Sequence, residues 1–335
     1  MLFSLLISAL ISLPTQAFEI KLRTDLGTNG NSNVVRNFET YKKAFAGKGC
    51  KAQGTGHRVI LTGFGLFSGV KYNISGAVVS SMASTHVWPA RVNLENMPKS
   101  TPEKVSSGQL DGVGPGVRIV NRSLRMNNQN FEVCFITVDV KWDFAAAVFI
   151  AEASKFKPEL ILMSGRGGGN VSLESGAINT ATSYAGFDSN GVPLDPTSVS
   201  AGKENKPLND GEVILKNYPV DHTLPLTWNT AKAGNAIETI VGSLGFSVNL
   251  PETARTDNNY ICNNVSFVLA HAAHNKSTLL AGGKLILRSP GFRKKPLVGF
   301  FHFPITDSIA PDNAEFAPMI LSWSSVLARA LFSQF

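Results

Sequence analysis

The sequence predicts an α/β protein, a three-layer α/β/α arrangement around a mainly parallel or mixed central sheet. Three observations lead there. Residues 131–138 and 159–163 are aliphatic and β-branched runs of strand length, and residues 142–156 between them carry apolar side chains at helical spacing. Together they make a strand–helix–strand unit, which implies parallel strands with functional loops at their carboxyl ends. A further run, RVILT at 58–62, ends in the glycine-rich GFGLFSG, the pattern of a buried strand delivering a loop. Finally, 43% of the 335 residues are hydrophobic and 16% charged, which is enough apolar material to bury a core and argues against disorder.

Taken in chain order, residues 2–13 (LFSLLISALISL) match the hydrophobic region of a signal peptide and are too short to span a bilayer. Ala17 closes LPTQA, so cleavage is expected before Phe18. Residues 1–17 are therefore read as a leader, and the mature chain as soluble, periplasmic or secreted, with no membrane partner. Residues 18–57 are polar and rich in Gly and Asn around a short helix expected at 37–46, and form an N-terminal extension. The main domain spans 58–335. Its first loop, at 63–69, is expected to expose Phe64 and Phe67. The glycine-rich GRGGGN at 165–170 follows the strand at 159–163, and residues 190–222, with many Pro, Gly, Asn and Lys, read as a surface excursion. Helices are expected at 227–244, 262–275 and 314–334, and two strands, KLILRS and PLVGFFHF, flank the basic loop SPGFRKKP.

Composition and motifs also exclude. Lys and Arg total 31 against 24 Asp and Glu, an excess of +7 that demands no nucleic-acid partner. Cys50, Cys134 and Cys262 are too few for a disulfide scaffold and lack C-x-x-C spacing, and neither HExxH nor a His/Cys cluster occurs. No metal and no cofactor is expected. GRGGGN fails the dinucleotide fingerprint because its last position is Asn170; the alternative is that its glycines permit a tight turn.

Cys262 is the candidate nucleophile. It opens an expected helix, whose free N–H groups and positive dipole end favour a thiolate and later an oxyanion; the alternative for a lone Cys is buried packing. Its base must come from six histidines. His271 lies nine residues along the same helix, half a turn out of phase and about 13 Å away, and His274 about 18 Å away. His57 belongs at the amino end of the first strand, and His86 and His222 fall in long loops. His302 follows LVGFF and emerges at a carboxyl edge, with a plain hydrogen-bonded role between Phe301 and Phe303 as the alternative. For the third group, which orients the imidazole, Glu174 leads, with Asp139 and Asp143 as competitors. If Cys262 is the free thiol, Cys50 and Cys134 are the only pair left to bridge in an oxidising compartment.

These residues lie in segments that resemble a known family. GFGLFSG at 63–69, SGRGGGNVSLESGAIN at 164–179, NNYICNNVSFVLAH at 258–271 and VGFFHFP at 298–304 resemble, in order, the signature segments of pyroglutamyl peptidase I. That family of cysteine peptidases removes N-terminal pyroglutamate and typically reads GFDPFGG, GQAGGR…ER.AIN, TAGT..CN..MY..LH and GFIHVP. The resemblance covers about 58–335. It implies the same fold, peptide substrates with a blocked N-terminus, and Cys262, His302 and Glu174 as nucleophile, imidazole and carboxylate. It further implies Phe64 and Phe67 as walls for a neutral lactam.

The sequence also departs from the pattern. Asp-Pro of the first segment becomes Gly65-Leu66, the following Gly becomes Ser68, a Gln becomes Arg166, and an Arg expected to help stabilise the reacting carbonyl falls on Ala185. Arg166 is the candidate to compensate or to recognise an acidic group. These departures open a second reading, a catalytically impaired binding protein with an altered pocket.

Overall fold

The structure, a computed structural model, describes residues 20–22, 32–65, 72–84, 117–126, 128–138, 140, 142–180, 213–255, 260–280, 285–306, 309 and 312–335. The leader, Phe67, His86, Asp139 and Ala185 lie outside these residues.

A seven-stranded sheet organises the chain. Its strands are β2 (His57–Phe64), β3 (Val117–Met126), β4 (Gln129–Val138), β5 (Leu160–Arg166), β6 (Val171–Glu174), β9 (Val248–Asn249) and β12 (Leu297–Phe303). They run in the order β3-β4-β2-β5-β12-β6-β9. The central four, β4, β2, β5 and β12, are mutually parallel, while β3 and β6 pair antiparallel to their neighbours β4 and β12. Strands covered on both faces can be apolar throughout. That is why β2 is buried from Val59 to Phe64 and β5 from Leu160 to Gly165. Short strands complete the set: β1 (Ile20–Leu22) and β10 (Thr278–Leu280) flank β11 (Leu285–Leu287), and β7 (Gly176–Ile178) pairs with β8 (Thr223–Pro225).

Helices cover both faces. α6 (Phe316–Phe332) packs against both α2 (Ile74–Ser84) and α4 (Thr230–Ser243). On the opposite face α3 (Phe144–Phe156) lies between α1 (Ser32–Ala44) and α5 (Ile261–Ala273). The result is the three-layer α/β/α fold with a mixed, mainly parallel sheet that the sequence predicts.

The helix expected at 37–46 runs from Ser32 to Ala44; its Phe38 and Tyr41, and Phe45 just after it, are buried. At its far end Cys50 forms a disulfide with Cys134 of β4, their Cα atoms 5.5 Å apart. Beside it the buried Glu152 of α3 accepts hydrogen bonds from the Tyr41 hydroxyl, the Cys50 N–H and, at 2.9 Å, Lys155 Nζ. Burial first, then the neighbouring Glu152 charge and its hydrogen bond, push the Tyr41 hydroxyl far above its ordinary pKa. Phe38, Tyr41, Phe45 and Cys50 thus join the hydrophobic core.

Candidate active site

Cys262 is the second residue of α5. Tyr260 stands before the helix in an extended conformation, and the first ladder bond runs from Asn264 N–H to Tyr260 C=O at 3.1 Å. The N–H groups of Ile261, Cys262 and Asn263 therefore precede the ladder and point toward the helix start, where an oxyanion is favoured. Two asparagines fix this start. The Asn263 amide accepts from Ile178 N–H at 3.0 Å and donates to Ile178 and Thr180 C=O at 2.7 and 3.0 Å, tying α5 to β7. Asn264 donates to Asp143 Oδ1 at 3.1 Å.

The sulfur lies against the end of β5. A Cβ at Gly165 would fall 2.7 Å from Cys262 Sγ and 2.8 Å from the Phe300 ring, so only glycine leaves room for the thiol. At Gly167 a Cβ would sit 3.3 Å from the His302 ring. The glycine-rich segment is a close approach of backbone to two reactive side chains, continued by a turn with Gly168 at φ +73°.

His302 is the penultimate residue of β12. Strand alternation separates its ring from those of Phe301 and Phe303, the latter packing on Trp323 of α6. The same alternation puts His302 with Phe300 toward Cys262 and α5. After the glycine turn the chain returns as β6, antiparallel to β12, with Glu174 opposite Phe300 and Ser172 opposite His302. Glu174 is thus diagonal to His302 on the shared face, and its Oε1 lies 2.9 Å from His302 Nδ1. Nε2 is the ring nitrogen left for the hydrogen bond with Cys262. Ser172 Oγ donates to Glu174 Oε1 at 3.0 Å, Arg255 Nη1 approaches the same oxygen to 3.5 Å, and Trp228 Nε1 donates to the Glu174 backbone C=O at 2.8 Å.

These neighbours set the charges. Burial pushes the His302 imidazole down, but the Cys262 charge and hydrogen bond, followed by those of Glu174, outweigh it and raise the pKa to about 9. Burial pushes the Glu174 carboxyl up; the bond and charge of His302, the Arg255 charge and the Ser172 bond outweigh that and hold it below the usual carboxylate range.

The structure brings Cys262, His302 and Glu174 together and assigns the other described histidines elsewhere. His57 Nδ1 meets Glu159 at 3.0 Å, His222 stacks on Tyr218, and His274 Nε2 meets Lys295 Nζ at 2.9 Å. His271 is bonded to Thr278 at 2.9 Å, and burial, with the charges of Lys276 and His274, pushes it down to about 4. Asp143 faces Asn264 rather than an imidazole.

Phe64 requires a correction: it is the last residue of β2, not part of an exposed loop, and is 2% exposed with its ring toward Phe149. The strand continues two residues into the glycine-rich segment, through Gly63 and Phe64, and carries the Phe64 side chain inward. Arg166 closes β5, half-buried, in register with Phe303. Sequence reasoning missed Ser172, Trp228, Arg255 and Asn263. Period-2 alternation from Glu174 points to Ser172; no local spacing points to Arg255. Among the described residues no group of three or more His, Cys, Asp or Glu is arranged to hold a metal ion, and no helix is long and apolar enough to cross a membrane.

No protein-family model matches the sequence, and no curated protein matches it. Among solved structures, the chain is similar to pyroglutamyl peptidase I from Bacillus amyloliquefaciens, with 17% identity, a TM-score of 0.46, and 83% of this chain and 98% of that one covered. It is also similar to a mutant pyrrolidone carboxyl peptidase from Pyrococcus furiosus, with 14% identity, a TM-score of 0.44, and 83% and 100% covered.

Proposed function

We propose that the chain is an exported cysteine exopeptidase that removes N-terminal pyroglutamate from peptides through a thiol acyl-enzyme. The observation that carries this reading is the run of contacts from Cys262 through His302 Nε2 and Nδ1 to Glu174 Oε1, the order in which a thiol, its base and the base's orienter must stand. The substrate class rests on the four segments that resemble pyroglutamyl peptidase I.

In this mechanism His302 holds the proton of Cys262, and the thiolate bonds to the pyroglutamyl carbonyl carbon. The carbonyl electron pair moves to oxygen, facing the N–H groups at the start of α5; one such donor is worth roughly 10²–10³ in rate. Collapse breaks the C–N bond, and the departing amine takes the proton from His302. Water, giving its proton to His302, then attacks the thioester, releasing pyroglutamate and restoring the thiol. A neutral lactam calls for apolar walls and a few amide partners, with Phe67 and Arg166 as the remaining candidates.

One observation favours a second reading, a catalytically impaired binding protein: the half-buried Arg166 closes β5 at the edge where His302 leaves β12. A fluorogenic pyroglutamyl conjugate decides between the two. Release by the wild-type chain and none by Cys262→Ala supports the peptidase; calorimetric binding without turnover supports the alternative. Export is tested separately by sequencing the mature N-terminus, expected at Phe18.

A further inference from the structure

Glu174 is wholly buried, yet Oε1 is shared by His302, Ser172 and Arg255, and Oε2 has no hydrogen-bond partner among the described residues. Among the described residues, the groups whose charge acts on this carboxylate and imidazole are Cys262 from α5, His302 from β12, Glu174 from β6 and Arg255 from the segment before α5. The other neighbours, Ser172, Phe300, Gly165, Gly167 and Trp228, carry none. With thiolate and imidazolium both formed, four charges balance in pairs. When the imidazole has given up its proton, Glu174 is an anion in an apolar surround, and a buried carboxylate without a cation takes up a proton. Arg255 then remains beside it, always protonated.

We propose that Arg255 is a positioning residue that keeps Glu174 a carboxylate while His302 passes through its neutral form. Its cation preserves the acceptor that holds His302 Nδ1–H, and hence the direction of Nε2 toward Cys262. The proposal rests on the thiol–imidazole–carboxylate unit of the preceding reading, but not on the identity of the substrate. It also ties the segment before α5 to the carboxylate, so that nucleophile and orienter are held from one stretch of chain.

The test is the pH profile of Cys262 alkylation by iodoacetamide, measured by peptide mapping alongside turnover of the pyroglutamyl conjugate. Removing one positive charge makes every nearby proton harder to lose. In Arg255→Gln both limbs of the alkylation profile are therefore expected to move to higher pH. Arg255→Lys, which keeps the charge, is expected to hold both midpoints at wild-type values. Rates that fall equally at all pH values in Arg255→Gln, with midpoints unmoved, overturn the proposal, as does a shift in Arg255→Lys, which can be read even if the Gln variant does not fold. Shifted alkylation midpoints in a chain that never releases the fluorophore uphold Arg255 and reject the peptidase reading instead.

Discussion

Glu174 Oε1 lies 2.9 Å from His302 Nδ1 across an antiparallel strand pair, with the carboxylate wholly buried and the imidazole 6% exposed. Burial gives this hydrogen bond its directional value, because water does not compete for Nδ1–H. Glu174→Gln keeps the shape but replaces the acceptor charge with an amide able to present the wrong partner to the ring. Turnover of the pyroglutamyl conjugate is expected to fall by roughly two to four orders of magnitude, with the circular dichroism spectrum unchanged.

The His302 value near 9 fixes the alkaline limb. Cys262 alkylation is expected to lose its imidazolium-dependent component as pH rises through about 9. A stability effect follows with a defined sign. The folded value is above the ordinary 6.5, so the stabilisation is complete below pH 6.5 and is lost as pH climbs through about 9. Thermal melts across this window should show a smaller loss in Cys262→Ala, which lacks the charge that raises the imidazole most.

Two glycines of one segment should behave oppositely. Gly165→Ala puts a methyl group 2.7 Å from Cys262 Sγ, whereas the same change at Gly169 meets nothing within 4 Å. The first is expected to cost about 1–3 kcal/mol by overpacking and to slow alkylation of Cys262. The second should leave melting and alkylation within error, which the same two assays check.

The Cys50–Cys134 bond spans 84 residues of sequence, and closing a loop of that size restricts the unfolded chain by about 4–5 kcal/mol in the entropy model. Cys50→Ser with Cys134→Ser is expected to cost about 2–4 kcal/mol of stability, read as a lower denaturant midpoint, while Cys262 alkylation persists. Equal midpoints for the wild-type and double-variant chains would reject a stabilising role.

How far each element could be read beforehand follows from its surroundings. β2, β4, β5 and β12 were legible because strands covered on both faces must be apolar throughout, and α3 because its apolar run is long. α2 was not: residues 74–83 are buried on every side, so there is no polar face to give a helical period, and Gly, Ser and Val weaken its propensity. Cys262, His302 and Glu174 could be chosen because each sits at an element end with a reactive group. Arg255 could not, since its partner stands 81 positions away and an ion pair across a fold follows no local spacing. The pattern puts Phe64 in the loop, because the strand boundary falls two residues later than its first glycine suggests.

The glycine turn between β5 and β6 leads into a pairing of only three register positions with β12. Side chains alternate along a strand, so sliding β6 by a single residue would carry Glu174 to the opposite face of the sheet, away from His302. Changing the length of this return, which passes over β12, is therefore an all-or-nothing operation. Lineages or engineered variants that alter the turn by one residue must absorb it before Val171 or forfeit the carboxylate, however well the rest of the chain still folds.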